Sequence, residues 1–163
     1  MKKINVEALT PEAFAPFGTY VDVLSPEGSC LKGEYHTCNR YIALHYSDSG
    51  LPLGISPLIV RNHGNVVEGV EWHNHTCEGI LPLDDDAILH VTPAGGDFDV
   101  TQTKAFLVPK GTFVSIHPGV FHLTPLPKQA DALHALILLP ERAYANDFCF
   151  HELTEEEKFE LVL

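Results

Sequence analysis

The residues of this chain most able to do chemistry gather in two short runs. EWHNHTCEG, residues 71–79, sets His73, His75 and Glu78 within six positions. HPGVFH, residues 117–122, adds His117 and His122. On an extended strand, residues two apart share a face, so His73 and His75 could turn both imidazoles into one cavity. Glu78 falls on the other face unless the chain bends at Thr76-Cys77 or begins a new strand there. Pro118-Gly119 marks a turn that feeds a strand, and His122 joins the same cavity if that strand lies beside the first. Three imidazoles and a carboxylate make a mixed nitrogen and oxygen donor set. Zn, Fe, Ni, Mn or Cu would suit it, and ligand type alone does not choose among them. The same residues could line a metal-free polar pocket that binds substrate directly, and an HxH pair taken alone is a weak motif. Cys77 is expected to point away from the cavity and pack.

Other polar residues are less convergent. Arg61 follows the apolar run SPLIV, and its planar fork matches a carboxylate, so it is a candidate substrate clamp beside Lys104. The plainer reading makes each a strand-end cation. His117 shares a side with His122 only if the Pro118-Gly119 turn shifts the phase. His36, His45, His63, His90, His134 and His151 lack partners in sequence and read as surface or satisfied structural residues. Tyr35 and Tyr41 could reach a barrel mouth. No GxSxG nucleophile and no glycine-rich phosphate loop is present, and Gly95-Gly96 reads as a turn.

The elements that must position these groups are strands. At 163 residues the chain suits one domain, 1–163, with a real core. Twelve glycines and twelve prolines fit many turns between short elements. TYVDVL (19–24), RYIALHY (40–46), SPLIVR (56–61), NVVEGVEWHNH (65–75), EGILPL (78–83), AILHVT (87–92), KAFLVP (104–109), TFVSIH (112–117) and LHALILL (133–139) are strand-like, with DFCFHEL (147–153) as one more. LTPEAFAPFG (9–18) predicts a short helix capped by Thr10. TEEEKFEL (154–161) predicts a terminal helix with Thr154 as cap and Glu157 at the capping-box position. Such spacing argues for a β-sandwich or barrel, whose interior receives alternate side chains.

Charge and cysteine usage bound the partners. A net charge of −12 opposes phosphate backbones, so nucleic acid is not expected. An anionic substrate would need local cations against that field. The four cysteines are scattered without a CxxC pair, and no run matches a signal peptide or membrane span, so a reducing cytoplasm and no membrane are expected.

Two resemblances sharpen this. HNHTCE (73–78) followed by PGVFH (118–122) resembles the two motifs of the cupin superfamily. That implies a mainly β fold, a cupin-type double-stranded barrel or jelly roll with short flanking helices. It also implies a metal set of His73, His75, Glu78 and His122. More narrowly, LTPEAFAPFGTYVDV (9–23), EWHNHTCEGILPL (71–83) and KAFLVPKGTFVSIHPGVFHLTPL (104–126) resemble the ureidoglycolate lyase (ureidoglycolate hydrolase) family. His73, Glu78, His117 and His122 fall on the polar positions of that family's active-site region. The chain looks like a divergent member. Glu78 stands where the family usually has Gln, Phe121 where it has Trp, and Leu123 and Thr124 replace a His-Pro pair.

The resemblance implies a carbon–nitrogen lyase that converts ureidoglycolate to glyoxylate and urea. It implies Glu78, His117 and His122 as catalytic residues, Arg61 and Lys104 as contacts for the substrate carboxylate, a divalent metal (Zn, Fe, Ni or Mn) and a homodimer. A metal-dependent cupin isomerase or oxygenase, and a non-catalytic small-molecule-binding module, are the alternatives.

Overall fold

A computed structural model describes residues 1–39 and 50–163. The strand expected over 40–46, with Tyr41 and His45, lies outside the described residues. The strands are β1 (Lys2–Ala8), β2 (Gly18–Asp22), β3 (Cys30–Lys32), β4 (Thr37–Asn39), β5 (Leu53–Arg61), β6 (Val66–Val67), β7 (Gly69–Trp72) and β8 (Glu78–Pro82). They continue with β9 (Ala87–Thr92), β10 (Lys104–Val108), β11 (Thr112–Ile116), β12 (Phe121–His122), β13 (Leu126–Pro127), β14 (Ala132–Pro140), β15 (Cys149–Glu152) and β16 (Phe159–Val162). Two four-residue helices, α1 (Pro11–Phe14) and α2 (Ala143–Asn146), flank them.

One sheet runs β15-β7-β12-β9-β10-β1-β16-β6, with β13 beside β9. The other runs β2-β11-β8-β14-β5. This is the mainly β arrangement, two sheets with short flanking helices, that the sequence led us to expect. Strand alternation supplies the packing. Phe14, Ile80, Leu89, Phe106, Ile116 and Leu133 share one core that joins residues of both sheets. A second cluster, with Ile4, Val70, Ile88, Phe159 and Leu161, packs around the β1–β16 part of the larger sheet. Among the described residues no helix is long and apolar enough to cross a membrane.

The chain ends differ from expectation. Residues 154–161 do not form a helix. Thr154 donates its N–H and its hydroxyl to Glu157 Oε2, both at 2.9 Å, so the capping contact forms and makes a single turn. Phe159 and Leu161 are then buried while Glu160 faces out, which is a period of two. That stretch pairs in parallel with β1 and antiparallel with β6, and strand pairing overrides the local helical signal. β1 itself, unassigned from sequence, inserts between β10 and β16.

The first helix begins as expected, with Thr10 Oγ1 accepting from the Ala13 N–H at 3.3 Å. It stops short of Gly18 because Pro16 has no amide hydrogen to extend the ladder. Gly18 instead opens β2, where a Cβ would sit 2.1 Å from the Ser115 carbonyl oxygen on the neighbouring strand.

Candidate metal and active site

The crossing from one sheet to the other builds the site. β7 lies in the larger sheet and ends at Trp72; β8 lies in the smaller sheet and begins at Glu78. Residues 73–77 carry the chain between them. Glu78 therefore reaches the same space as His73 by starting a new strand on the facing sheet, not by continuing the alternation of β7. His122, on β12, stands opposite Glu71 of β7 in the strand register.

These three meet. His73 Nε2 and His122 Nε2 each lie 3.0 Å from Glu78 Oε2. One donor atom from each of the three residues falls within 4.8 Å of the others, and all three side chains are buried. The remaining ring nitrogens face carbonyls. His73 Nδ1–H donates to the Asp147 carbonyl at 2.6 Å and His122 Nδ1–H to the Val120 carbonyl at 2.8 Å. With Nδ1–H fixed on a carbonyl, Nε2 of the charged ring donates to Glu78, and Nε2 of the neutral ring would turn its lone pair to the common point, which is how metal-binding histidines are oriented. The donor set and its burial fit a divalent ion, and this His-Glu-His group could hold one.

The loop is clamped from behind. The Asp147 carboxylate accepts the N–H of Asn74 at 2.8 Å and of His75 at 2.9 Å. The Gly119 N–H donates to the His73 carbonyl at 2.6 Å, which ties the HNHTC crossing to the Pro118-Gly119 turn. Both sequence runs thus meet through backbone as well as side chain.

Electrostatics follow the geometry. Burial alone would raise the Glu78 carboxyl, but hydrogen bonds from His122 and His73 outweigh it and bring it down to about 2. Burial opposes charge on His73 and His122, yet Glu78 leaves both raised. Glu71, half-buried, has its carboxyl raised by burial first; nearby Glu78 adds to this while the two histidines oppose it. Tyr144, from α2, sets its ring edge-on to His73 at 6.3 Å. Burial and then the charges of Glu78 and Glu71 push its hydroxyl up to about 12.

The other expected site residues stand elsewhere. His75 is exposed and outside the group, because β7 has already ended and the alternation that paired it with His73 no longer applies. His117 is exposed at the end of β11, before the turn that redirects the chain to His122. Arg61 ends β5 and lines a separate groove with His90; none of the three converging residues lines it. Lys104 is exposed at the start of β10. Tyr35 is exposed beside the β3–β4 hairpin. His90 is buried without a hydrogen-bond partner, so it is neither a surface residue nor a satisfied one.

Sequence reasoning missed Glu71, Tyr144 and Asp147. Glu71 was within reach, since it sits near the end of β7, two residues before His73. Nothing in the local pattern around Tyr144 or Asp147 marks them, because the 143–147 turn acquires its role only by packing against the crossing.

A small barrel of two β-sheets enclosing a buried His-Glu-His group is an enzyme-like architecture, with polar groups converging where water is excluded. The chain belongs to the ureidoglycolate lyase family: the model of the family described as Ureidoglycolate lyase matches residues 1–160. It is accordingly a lyase. The ureidoglycolate lyase of Rhodobacter capsulatus is 29% identical over 142 residues, covering 84% of this chain and 86% of that one. The ureidoglycolate lyase of Pseudomonas paraeruginosa is 28% identical over 172 residues, covering 97% and 95%. Among solved structures, RmlC from Streptococcus suis in complex with dTDP-D-xylose overlaps 55% of this chain and 44% of that chain. Its TM-score is 0.40 at 14% identity, a likeness too loose to carry an argument.

Proposed function

We propose that this protein eliminates urea from ureidoglycolate to give glyoxylate, with a divalent metal held by His73, Glu78 and His122. The observation that carries the reading is the convergence of two Nε2 atoms on one Glu78 oxygen, supported by the names of the relatives. In the reaction the substrate hydroxyl loses its proton, the C–O bond becomes a carbonyl and the C–N bond breaks. The departing nitrogen takes a proton to become urea. When bound, the metal would offset the substrate carboxylate and lower the pKa of the hydroxyl.

The chain's own residues supply the rest. Glu71 faces the group from the strand position opposite His122 and is the carboxylate left for proton transfer once Glu78 serves as a ligand. It accepts the hydroxyl proton and returns one to the urea nitrogen. Tyr144, edge-on, and Phe148, tilted, pack against His73, with ring centroids at 6.3 and 6.4 Å, and help cover that side of the site.

The four cysteines are free, which supports a reducing cytoplasm. Exposed Leu53, Ile55 and Ile59 on β5, an edge strand among the described residues, support a homodimer, to be checked by light scattering. The decisive experiment combines elemental analysis of untagged protein with a urea- and glyoxylate-release assay. Turnover that follows metal content supports the reading, and metal-loaded protein inert towards ureidoglycolate overturns it. Glu71→Gln should lower kcat by about 100-fold or more while leaving metal content unchanged.

A further inference from the structure

The larger sheet has a second pocket on the face turned away from the His-Glu-His group. Glu71 and His122 are strand partners, so their side chains share the face that meets that group. Trp72 and Phe121, each one residue along from these, turn to the opposite face. His151 joins them there, because its partner on β7 is Val70, two residues before Trp72. The segment between β9 and β10 folds over this face and sets Phe98 against Phe121.

These four side chains line an open pocket of about 430 Å³, together with Asp97 and Glu157. Trp72 lies 4.8 Å from Phe121 at 59°, Phe98 lies 5.7 Å from Phe121 at 76°, and Phe98 lies 6.2 Å from His151 at 44°. No two of these pairs stack, so the rings form a corner with walls in several directions. Trp72 and Phe98 are half-buried and keep ring surface open to the space they line. The corner is held in place by hydrogen bonds. Trp72 Nε1–H donates to Asn74 Oδ1 at 3.2 Å. Asp99 pins the segment beside Phe98, accepting from the Thr101 N–H at 2.8 Å and from Gln102 Nε2 at 2.9 Å. Such a preformed wall costs little to order when a ligand enters.

The charge around the corner has one sign. Among the described residues no lysine or arginine lines the pocket. Lys158 follows Glu157 in the chain, but its ammonium is taken by Glu155 at 2.6 Å and Glu68 at 3.1 Å. Asp97 is exposed and makes no ion pair with the described residues. Glu157 adds a second negative charge, although its Oε2 already accepts from His151 at 3.1 Å and from Thr154 at 2.9 Å. Aromatic faces and carboxylates without a resident cation attract a positive guest.

The kind of cation follows from what the walls lack. A primary ammonium has three N–H donors, and taking them out of water without acceptors is costly. Aromatic rings offer such donors no strong acceptor. A quaternary ammonium has no N–H to satisfy and presents methyl groups to the rings.

We propose that this pocket binds a quaternary ammonium head group, with the methyl groups against Trp72, Phe98 and Phe121 and the charge facing Asp97. The site is separate from the lyase chemistry, and its test reads binding and no turnover.

Trp72 is the chain's one tryptophan, so its emission reports on the pocket. The full chain is titrated with choline in mildly alkaline buffer, which keeps histidine neutral. The expected result is a saturable change in emission. Two competitors test the class of ligand. The uncharged isostere of choline, with tert-butyl in place of trimethylammonium, and ethanolamine, with a primary ammonium, should each bind about fivefold or more weaker. Phe98→Leu keeps apolar bulk but removes a ring face, and should weaken choline by about fivefold while leaving the isostere's affinity unchanged. Asp97→Asn, at an exposed position with no ion pair to lose, should weaken choline by about twofold or more. An emission that never saturates overturns the proposal. So does an isostere or ethanolamine that binds as tightly as choline, or a Phe98→Leu affinity equal to wild type. Should Phe98→Leu fail to fold, Asp97→Asn and the two competitors decide.

Discussion

Glu78→Gln in metal-stripped protein isolates what the carboxylate does for the fold. Glu78 is buried, and its carboxyl is brought from an ordinary 4.5 down to about 2 by His122 and His73. A displacement of about 2.5 pH units at ~1.4 kcal/mol each corresponds to roughly 3 kcal/mol of native-state stability. The same contacts raise the two histidines, so they are counted once, through Glu78. For a domain of this size, 1 kcal/mol moves Tm by about 2–4 °C, so the variant should melt about 6–12 °C lower at neutral pH.

The sign with pH is fixed. A depressed carboxyl stabilises fully above its unfolded value near 4.5 and loses that contribution as pH falls towards 2. The gap between wild type and variant should therefore narrow in acid. On the alkaline side the raised histidines act the other way, and stripped wild type should soften as pH climbs through their raised values. Calorimetry of chelator-treated protein across this range is the assay. Equal melting temperatures at neutral pH, or a gap that widens in acid, would refute the reasoning.

His73→Ala and His122→Ala should each lose metal by elemental analysis, whereas His75→Ala, altering an exposed ring outside the group, should retain wild-type content. Asp147→Ala frees the Asn74 and His75 amides and should weaken metal affinity about 10–100-fold in a competitive chelator titration, with the strand content by circular dichroism unchanged. Phe159→Ala should cost about 3–5 kcal/mol in denaturant unfolding, because the ring is fully buried in a strand; a surface-helix residue would cost far less.

Much of the architecture was legible because strand patterning here is strong. AILHVT was read as 87–92, the bounds of β9. Glycine, proline and aspartate clusters placed most of the other boundaries within a residue or two. What escaped was decided by partners distant in the chain. Phe159 and Leu161 alternate over too few residues to override a capping box until β1 and β6 are alongside. The site was half legible for the same reason. His73, Glu78 and His122 follow from donor type and spacing, but the placement of His75 depended on where β7 stops. Asp147 becomes a clamp only when α2 meets the crossing.

The position of β1 bears on how the chain comes to be folded at all. It is hydrogen-bonded on both sides, to β10 and to β16, and by contrast with a hairpin neither partner is near it in sequence. As the polypeptide emerges from the ribosome, this segment waits for β10 before it can dock on one side and for β16 before it can dock on the other. Its exposed interval falls to chaperones and solubility to manage, and shaving a few residues past Lys158 would strip two ladders at once, leaving β1 and β6 as sticky edges open to aggregation.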